Sequence, residues 1–362
     1  MGTFEGYGAA ANVTSPTPYV VTTLADDAST PPSGSLREAV EASGARKITF
    51  AVEGWIFLEE SLVIANDNCE IDGSTAPGNG IVIAANPTTF VTPWKTLQIT
   101  ASNVILQYLR ICQHVLDTAN SAGDALSLNG ADTVMIDQCS FWGAIDEVVD
   151  FTDSTNITIQ WSIIALGLRD ANHTGGLHGL GLLATGSSGG DISIHHNLFP
   201  HNAVRNPRNA CTGGPVEVIN NVIYNPDLAP ADTGAGSSTD FVKNYYIRGA
   251  DSSNHWLINA DNSSTIYHNS SNECANCTGF TDVDPGDSPT ISGTPLASPT
   301  TPVTEETPTD AYDSVLAGAG ATLPERHTVD LQMIDQTTLG AGSIINALTE
   351  IGGVMAELPS FS

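Results

Sequence analysis

Two aspartates four residues apart (Asp146 and Asp150), a third at Asp124, and the run Arg205-Asn-Pro-Arg208 are the residues whose types could do chemistry together. Three carboxylates gathered without a cation repel one another and push each other's pKa upward. A hard divalent ion relieves that repulsion, and an all-oxygen donor set from aspartate suits calcium. So few protein ligands also leave positions for water and for a carboxylate on a substrate. Glu147, next to Asp146, competes as a ligand. Read without context, the aspartates are equally a solvated acidic edge, and Arg205 equally a structural arginine bonding turn carbonyls. The histidines at 173, 178, 195, 196 and 201 show no spacing to serine or carboxylate that supports a zinc or triad role. The His195/His196 pair alternates within a strand, so one of the two is expected to point into the core.

The elements that must position these residues repeat along the chain. Strand-like segments with period-2 alternation end at residues 139, 162, 197, 221, 244 and 269, in steps of 23, 35, 24, 23 and 25. One coil is therefore 23–25 residues, and the long step is a coil carrying an insertion over residues 173–190. Such a unit cannot bury its apolar face alone and stacks on its neighbours as a solenoid. The i, i+3, i+4 spacing of helical repeats is missing. Four of the aligned positions are asparagine (197, 221, 244, 269), as expected of a ladder of amides at one bend of successive coils. The fold class is thus all-β: a single-stranded, right-handed parallel β-helix. In this register Asp124, Asp146, Arg169 and Arg205 fall at nearly the same offset. With coils about 4.8 Å apart, three steps hold them along roughly 15 Å of one ridge.

A short helix in Ser35-Leu-Arg-Glu-Ala-Val-Glu-Ala-Ser43 is predicted to cap the N-terminal end. Residues 281–309, rich in Pro, Thr and Ser, read as an extended strap, followed by an N-capped helix near Thr309. The domain reading is a β-helix over 1–280, with the strap and tail of 281–362 packed on the same domain.

Composition narrows the partners. The formal charge is −29, from 11 basic and 40 acidic residues, the opposite of a nucleic-acid binder and unsuited to anionic lipid. No apolar run approaches the ~20 residues that span a bilayer. An acidic shell repels a polyanion, so an acidic polymer would need a local cationic patch or a metal. The N-terminus lacks a signal sequence, but six glycosylation sequons (Asn12, Asn156, Asn172, Asn262, Asn269, Asn276) and an even set of six cysteines point to a secreted protein with its leader removed. Cys274-x-x-Cys277 reads as a short-loop disulfide or as free thiols, since no second pair completes a zinc site.

Several stretches resemble one family, the pectate lyases of polysaccharide lyase family one. They include Gly34-Ser-Leu-Arg-Glu-Ala-Val40, Thr75-Ala-Pro-Gly-Asn-Gly-Ile81 and Gly123-Asp-Ala-Leu-Ser-Leu128. Further matches are Val134-Met-Ile-Asp-Gln-Cys-Ser140, Asp146-Glu-Val-Val-Asp150, and His195-His-Asn-Leu-Phe199 with Arg205-Asn-Pro-Arg208. The resemblance implies Ca²⁺ held by Asp124, Asp146 and Asp150, with Arg205 as the catalytic base. Arg169 stands where relatives carry a substrate-binding lysine, which keeps the charge but changes its geometry. Two positions depart from the family pattern. Gln138 replaces a histidine, and Ala210 replaces an arginine for which Arg208 would compensate in substrate binding. The activity implied is calcium-assisted β-elimination of (1→4)-linked galacturonan by a secreted monomer. Alternatives are a lyase on another uronate polymer or on methylated pectin, and a non-catalytic carbohydrate-binding β-helix.

Overall fold

The computed structural model describes residues 3–86, 95–113 and 122–351. Its strands form three sheets of eleven, nine and nine strands, and successive strands of one sheet come from successive coils. Every pairing among the described residues is parallel, as in Val134↔Ile157 and Ile157↔Ile192 of the first sheet. Parallel crossovers take the right-handed path, so the chain is a right-handed parallel β-helix.

Alternation builds the core. In the first sheet Ile71, Leu106, Ile136, Ile159, Ile194, Val218 and Phe241 stand opposite one another rung after rung. All seven are buried. Burying such a column contributes on the order of 2 kcal/mol per side chain, a gain that exists only when the coils stack.

The bend after the first sheet has its own chemistry. Tyr108, Gln138, Trp161, His196, Asn220 and Lys243 all have φ between 49° and 55°, and this left-handed residue turns each rung. The next residue along carries the ladder. Asn221 Oδ1 accepts from the Asn197 backbone N–H and amide, both at 3.0 Å. Asn244 accepts likewise from Asn221, and Asn272 from Asn244. Ser162 continues the row with its hydroxyl, which accepts the Cys139 N–H at 3.1 Å. The ladder therefore ends on Asn272 rather than Asn269, because this coil adds residues after Thr265–Tyr267 before it turns. The histidine expectation also changes: His195 and His196 are both buried, with His196 stacked on Trp161 at 4.5 Å between ring centres.

The long coil carries its extra residues elsewhere than expected. Fourteen residues separate strands Ile163–Ala165 and Leu180–Gly186, against four between Ser140–Trp142 and Glu147–Thr152. The insertion is thus residues 166–179, and Leu180–Gly186 is an ordinary rung paired with Glu147–Thr152.

Helix Leu36–Glu41 begins at Ser35, whose hydroxyl accepts from the Glu38 N–H. The amides of Leu296 and Ala297 donate to Asp240, Thr304 donates to Glu5, and Glu306 donates to Asn220. Helix Pro308–Gly318 is capped by Thr307 rather than Thr309. With helix Thr328–Leu339 it packs on the second sheet, where Ser140 Oγ donates to Asp330 at 2.6 Å. A disulfide joins Cys274 to Cys277, and Cys69, Cys112, Cys139 and Cys211 are buried thiols.

The third sheet positions the charged residues. Gln98, Ser127, Asp150, Leu183, Arg208 and Asp232 face one another in consecutive rungs. Residues paired directly across neighbouring strands point to the same face of the sheet.

Candidate active site

Asp124 lies just ahead of strand Leu126–Asn129, and Asp146 just ahead of Glu147–Thr152 one coil later. The Glu147 N–H donates to Asp124 Oδ1 at 3.3 Å, which ties the two strand entrances together. Carboxylate oxygens of Asp124, Asp146 and Glu147 lie within 4.8 Å of one another. Asp150 sits further along the same strand, its oxygens taken by the hydroxyls of Ser127 (3.3 Å) and Thr152 (3.1 Å).

Arg205 belongs to the segment entering strand Arg208–Cys211, anchored where its carbonyl accepts the Leu182 N–H at 2.7 Å. Its backbone is left-handed, with φ 63°, a conformation that costs a non-glycine residue energy and recurs at functional sites. Gly181 passes so close that a Cβ there would lie 2.6 Å from the Arg205 carbonyl. The Arg205 guanidinium pairs with Glu147 Oε1, which brings it into the cluster.

The other two arginines make different pairs. Arg208 Nη1 binds Asp232 Oδ1 at 2.5 Å, its ladder neighbour. Arg169, in the insertion, pairs with Asp227. The three arginines thus share one side of the solenoid, and each is held by its own carboxylate.

Three residues that sequence reasoning missed complete the cluster. Lys95 Nζ bonds Asp124 Oδ2, with side chains 17% and 0% exposed. His173 and His178, in the insertion, each bring Nε2 to 3.6 Å from Asp146 Oδ1. Nothing in their spacing announced this, because loop residues have no place in the coil period. Asp232 did carry a signal: it follows Arg208 by one coil length.

The electrostatics follow from crowding under low exposure. Burial pushes Asp124 up to about 8, opposed by Lys95 and reinforced by Asp150 and Glu147. Burial and then Asp146 push Glu147 to about 8, and burial and then Asp124 push Asp146 to about 6. Asp150 is raised too, again mainly by burial. For Lys95, burial opposes the charge, yet the surrounding carboxylates outweigh it and raise its pKa. The cluster is therefore short of positive charge, and the Lys95 ammonium already stands in as a monovalent counter-ion. An all-oxygen set of this kind fits a hard divalent cation such as Ca²⁺. A cavity of about 670 Å³ at the far end of the solenoid, lined by His268, Phe280 and Asp282, shares no residue with the cluster.

The departures from the family pattern fall in different places. Gln138 is remote from the cluster, its amide donating to the Gly318 carbonyl and Thr322 hydroxyl of the C-terminal segment. Ala210 lies on the third sheet two residues beyond Arg208, opposite Thr185.

Comparisons with known proteins agree with this architecture. No protein-family model matches the chain. The probable pectate lyase C of Aspergillus terreus is 33% identical over 240 residues, 65% of this chain and 51% of that protein. The chain therefore spans about half the length of the curated relatives it matches. Among solved structures, that of Jun a 1, the major allergen from cedar pollen, is similar with a TM-score of 0.68 at 18% identity, covering 88% of this chain and 92% of that one. A pectate lyase from Bacillus sp. N165 in complex with trigalacturonate has a TM-score of 0.57 at 14% identity, covering 87% and 98%. At such identities the two structures speak to the fold alone.

Proposed function

We propose that this chain, similar in sequence to curated pectate lyases and in fold to solved ones, cleaves (1→4)-linked galacturonan by β-elimination. The observation that carries the reading is the joining of Arg205, through Glu147, to the carboxylates of Asp124 and Asp146.

In this reading Asp124, Asp146 and Asp150 hold Ca²⁺, with Glu147 as a fourth carboxylate in reach. Bound there, calcium would neutralise a uronate carboxylate of the substrate and acidify the neighbouring C5 proton. A neutral Arg205 guanidine would take that proton as the C4–O bond breaks, leaving a C4=C5 double bond on one sugar while the departing oxygen of the other takes a proton from water. A guanidinium is a poor base, and this one is paired with Glu147. Drawing Glu147 toward the cation set would free Arg205 for its task. Arg208 and Arg169 bind carboxylates of flanking sugars through their two-pronged donors, exchanging Asp232 and Asp227 for substrate. The local concentration of arginines offsets the repulsion expected between an acidic protein and an acidic polymer.

The polymer is extracellular, and we read the protein as secreted and monomeric. We also read residues 281–362 as working within the same domain as 1–280. The bonds from Leu296, Thr304 and Asp330 to the solenoid and its N-terminal segment support this.

The test is incubation with polygalacturonate and calcium, then with chelator, then with Arg205→Ala. Unsaturated product that disappears under both treatments is the expected result. Reducing ends without unsaturation would make it a hydrolase, and no product from several uronates would make it a binding module.

One observation favours a second reading. The Lys95 ammonium already neutralises Asp124, as an internal cation would in a lyase acting on methyl-esterified polymer without metal. Full activity on that polymer in chelator would select it.

A further inference from the structure

The 166–179 insertion brings two imidazoles over Asp146, a placement that the lyase reading does not use. We propose that His173, His178 and Asp146 form a binding site for a borderline divalent transition ion of the zinc class.

Nε2 of His173 and Nε2 of His178 are each 3.6 Å from the same oxygen, Asp146 Oδ1. One ligand atom from each of the three residues falls within a 4.8 Å cluster. The two rings lie 3.3 Å apart at their centres with planes 33° apart, and both turn Nε2 toward the carboxylate. Zinc bound at about 2.0–2.1 Å in tetrahedral geometry holds its ligand atoms about 3.3 Å apart, within a few tenths of an ångström of the two nitrogen–oxygen spacings of 3.6 Å. Calcium takes oxygen ligands and not imidazole. Two nitrogens and one carboxylate therefore select a different ion from the acidic set, with which this site shares Asp146.

The surroundings of the rings fit the role. His178 Nδ1 lies 3.0 Å from the Gly176 carbonyl, which can only accept. That nitrogen therefore carries a proton, which leaves Nε2, the atom facing Asp146, as the one a metal would take. This is the orienting bond that metal-ligating histidines make behind the metal. His173 differs, because its Nδ1 accepts the Gly175 N–H at 2.9 Å, which puts the ring proton on Nε2. Metal loading must move that proton to Nδ1 and turn the ring off Gly175, a local adjustment within a glycine-flanked loop. Three protein ligands leave a fourth position for water, the pattern of an open site. Its mechanical consequence is to fasten the insertion, which also carries Arg169, to the strand entrance at Asp146.

The test uses the full chain stripped with chelator and titrated with Co²⁺, then with Zn²⁺ in a calorimeter. One cobalt should bind with the intense visible bands of four-coordinate geometry, and one zinc should displace it. His173→Gln and His178→Gln should each weaken binding by about 100-fold, given that loss of even an outer-shell partner costs 10–100-fold. Unchanged metal-free melting would show that both variants are folded. Asp124→Asn, which alters only the acidic set, should keep the cobalt bands, so this site and the calcium site are judged separately. Cobalt binding that survives both histidine variants, or that vanishes with Asp124→Asn, overturns the proposal. So does a wild-type protein that develops no four-coordinate bands.

Discussion

Replacing Lys95 with methionine tests the electrostatics of the cluster most directly. Methionine keeps an unbranched side chain of similar length and removes the charge that pairs with Asp124. If the acidic set binds calcium, the ammonium competes with the ion. A +1 and a +2 charge about 5 Å apart repel by about 1.7 kcal/mol at the dielectric of water and about 7 kcal/mol at an effective constant of 20. The Lys95 side chain is 17% exposed and can swing outward, so the lower figure governs. Calcium affinity should therefore rise about tenfold to thirtyfold, because 1.4 kcal/mol is a factor of ten. The metal-free variant should lose about 1–3 kcal/mol of stability. That is less than the 3–5 kcal/mol typical of a broken buried pair, because Asp124 already sits at about 8 and can take up a proton instead. The assay is melting temperature against calcium concentration for both proteins, since a ligand stabilises by RT ln(1 + [L]/Kd). A lower metal-free melting point with a steeper calcium response is the expected outcome. Equal calcium responses in the two proteins would refute the placement of the ion beside Asp124 and favour the metal-free reading.

Other perturbations probe the frame and the approach to the site. Asn221→Ala removes the acceptor of the Asn197 N–H and the donor to the Ile194 carbonyl at 2.8 Å. Two buried groups left bare at about 1–3 kcal/mol each should cost about 3–5 kcal/mol in denaturant unfolding, and a loss under 1 kcal/mol would speak against the ladder. Burial lowers His201 to about 4, against a weaker upward pull from Asp251. Unfolded, that ring titrates near 6.5, so the unfolded chain takes up the proton first as pH falls. Its contribution, up to about 3 kcal/mol, is complete above pH 6.5 and is lost between 6.5 and 4. His201→Gln should flatten the stability curve over that window, and an unchanged curve would exclude the assignment. Gly181→Ala forces a Cβ against the Arg205 carbonyl. Turnover on polygalacturonate should fall about tenfold or more while melting drops by only a few degrees, because small misplacements of a reacting group cost up to about 100-fold.

Much of the frame was readable in advance, and particular residues show why. The steps of 23–25 residues between strand ends correspond to real rungs because period-2 burial leaves each coil one register. A slip of one residue would turn the Ile136 and Ile159 columns to solvent. The same register foresaw that Asp124, Asp146 and Arg205 share one side. It failed at Asn269, since a few extra residues after Tyr267 moved the amide ladder to Asn272. Composition could not foresee that His195 and His196 are both buried, because His196 owes its shelter to Trp161 and to the Glu306 segment far along the chain.

From sequence alone came the coil length, the inward columns, the asparagine bend and the gathering of aspartates and arginines on one flank. All of these are local alternation repeated at a fixed rise. Tertiary structure alone decided the partners. It gave Lys95 to Asp124, Glu147 to Arg205, Asp232 to Arg208, and two histidines of the insertion to Asp146. Loop length is free of the coil period, so the path of a loop follows from packing rather than from spacing. Which carboxylate meets which cation is then settled by competition among charges buried together, a sum over several coils that no single stretch of sequence contains.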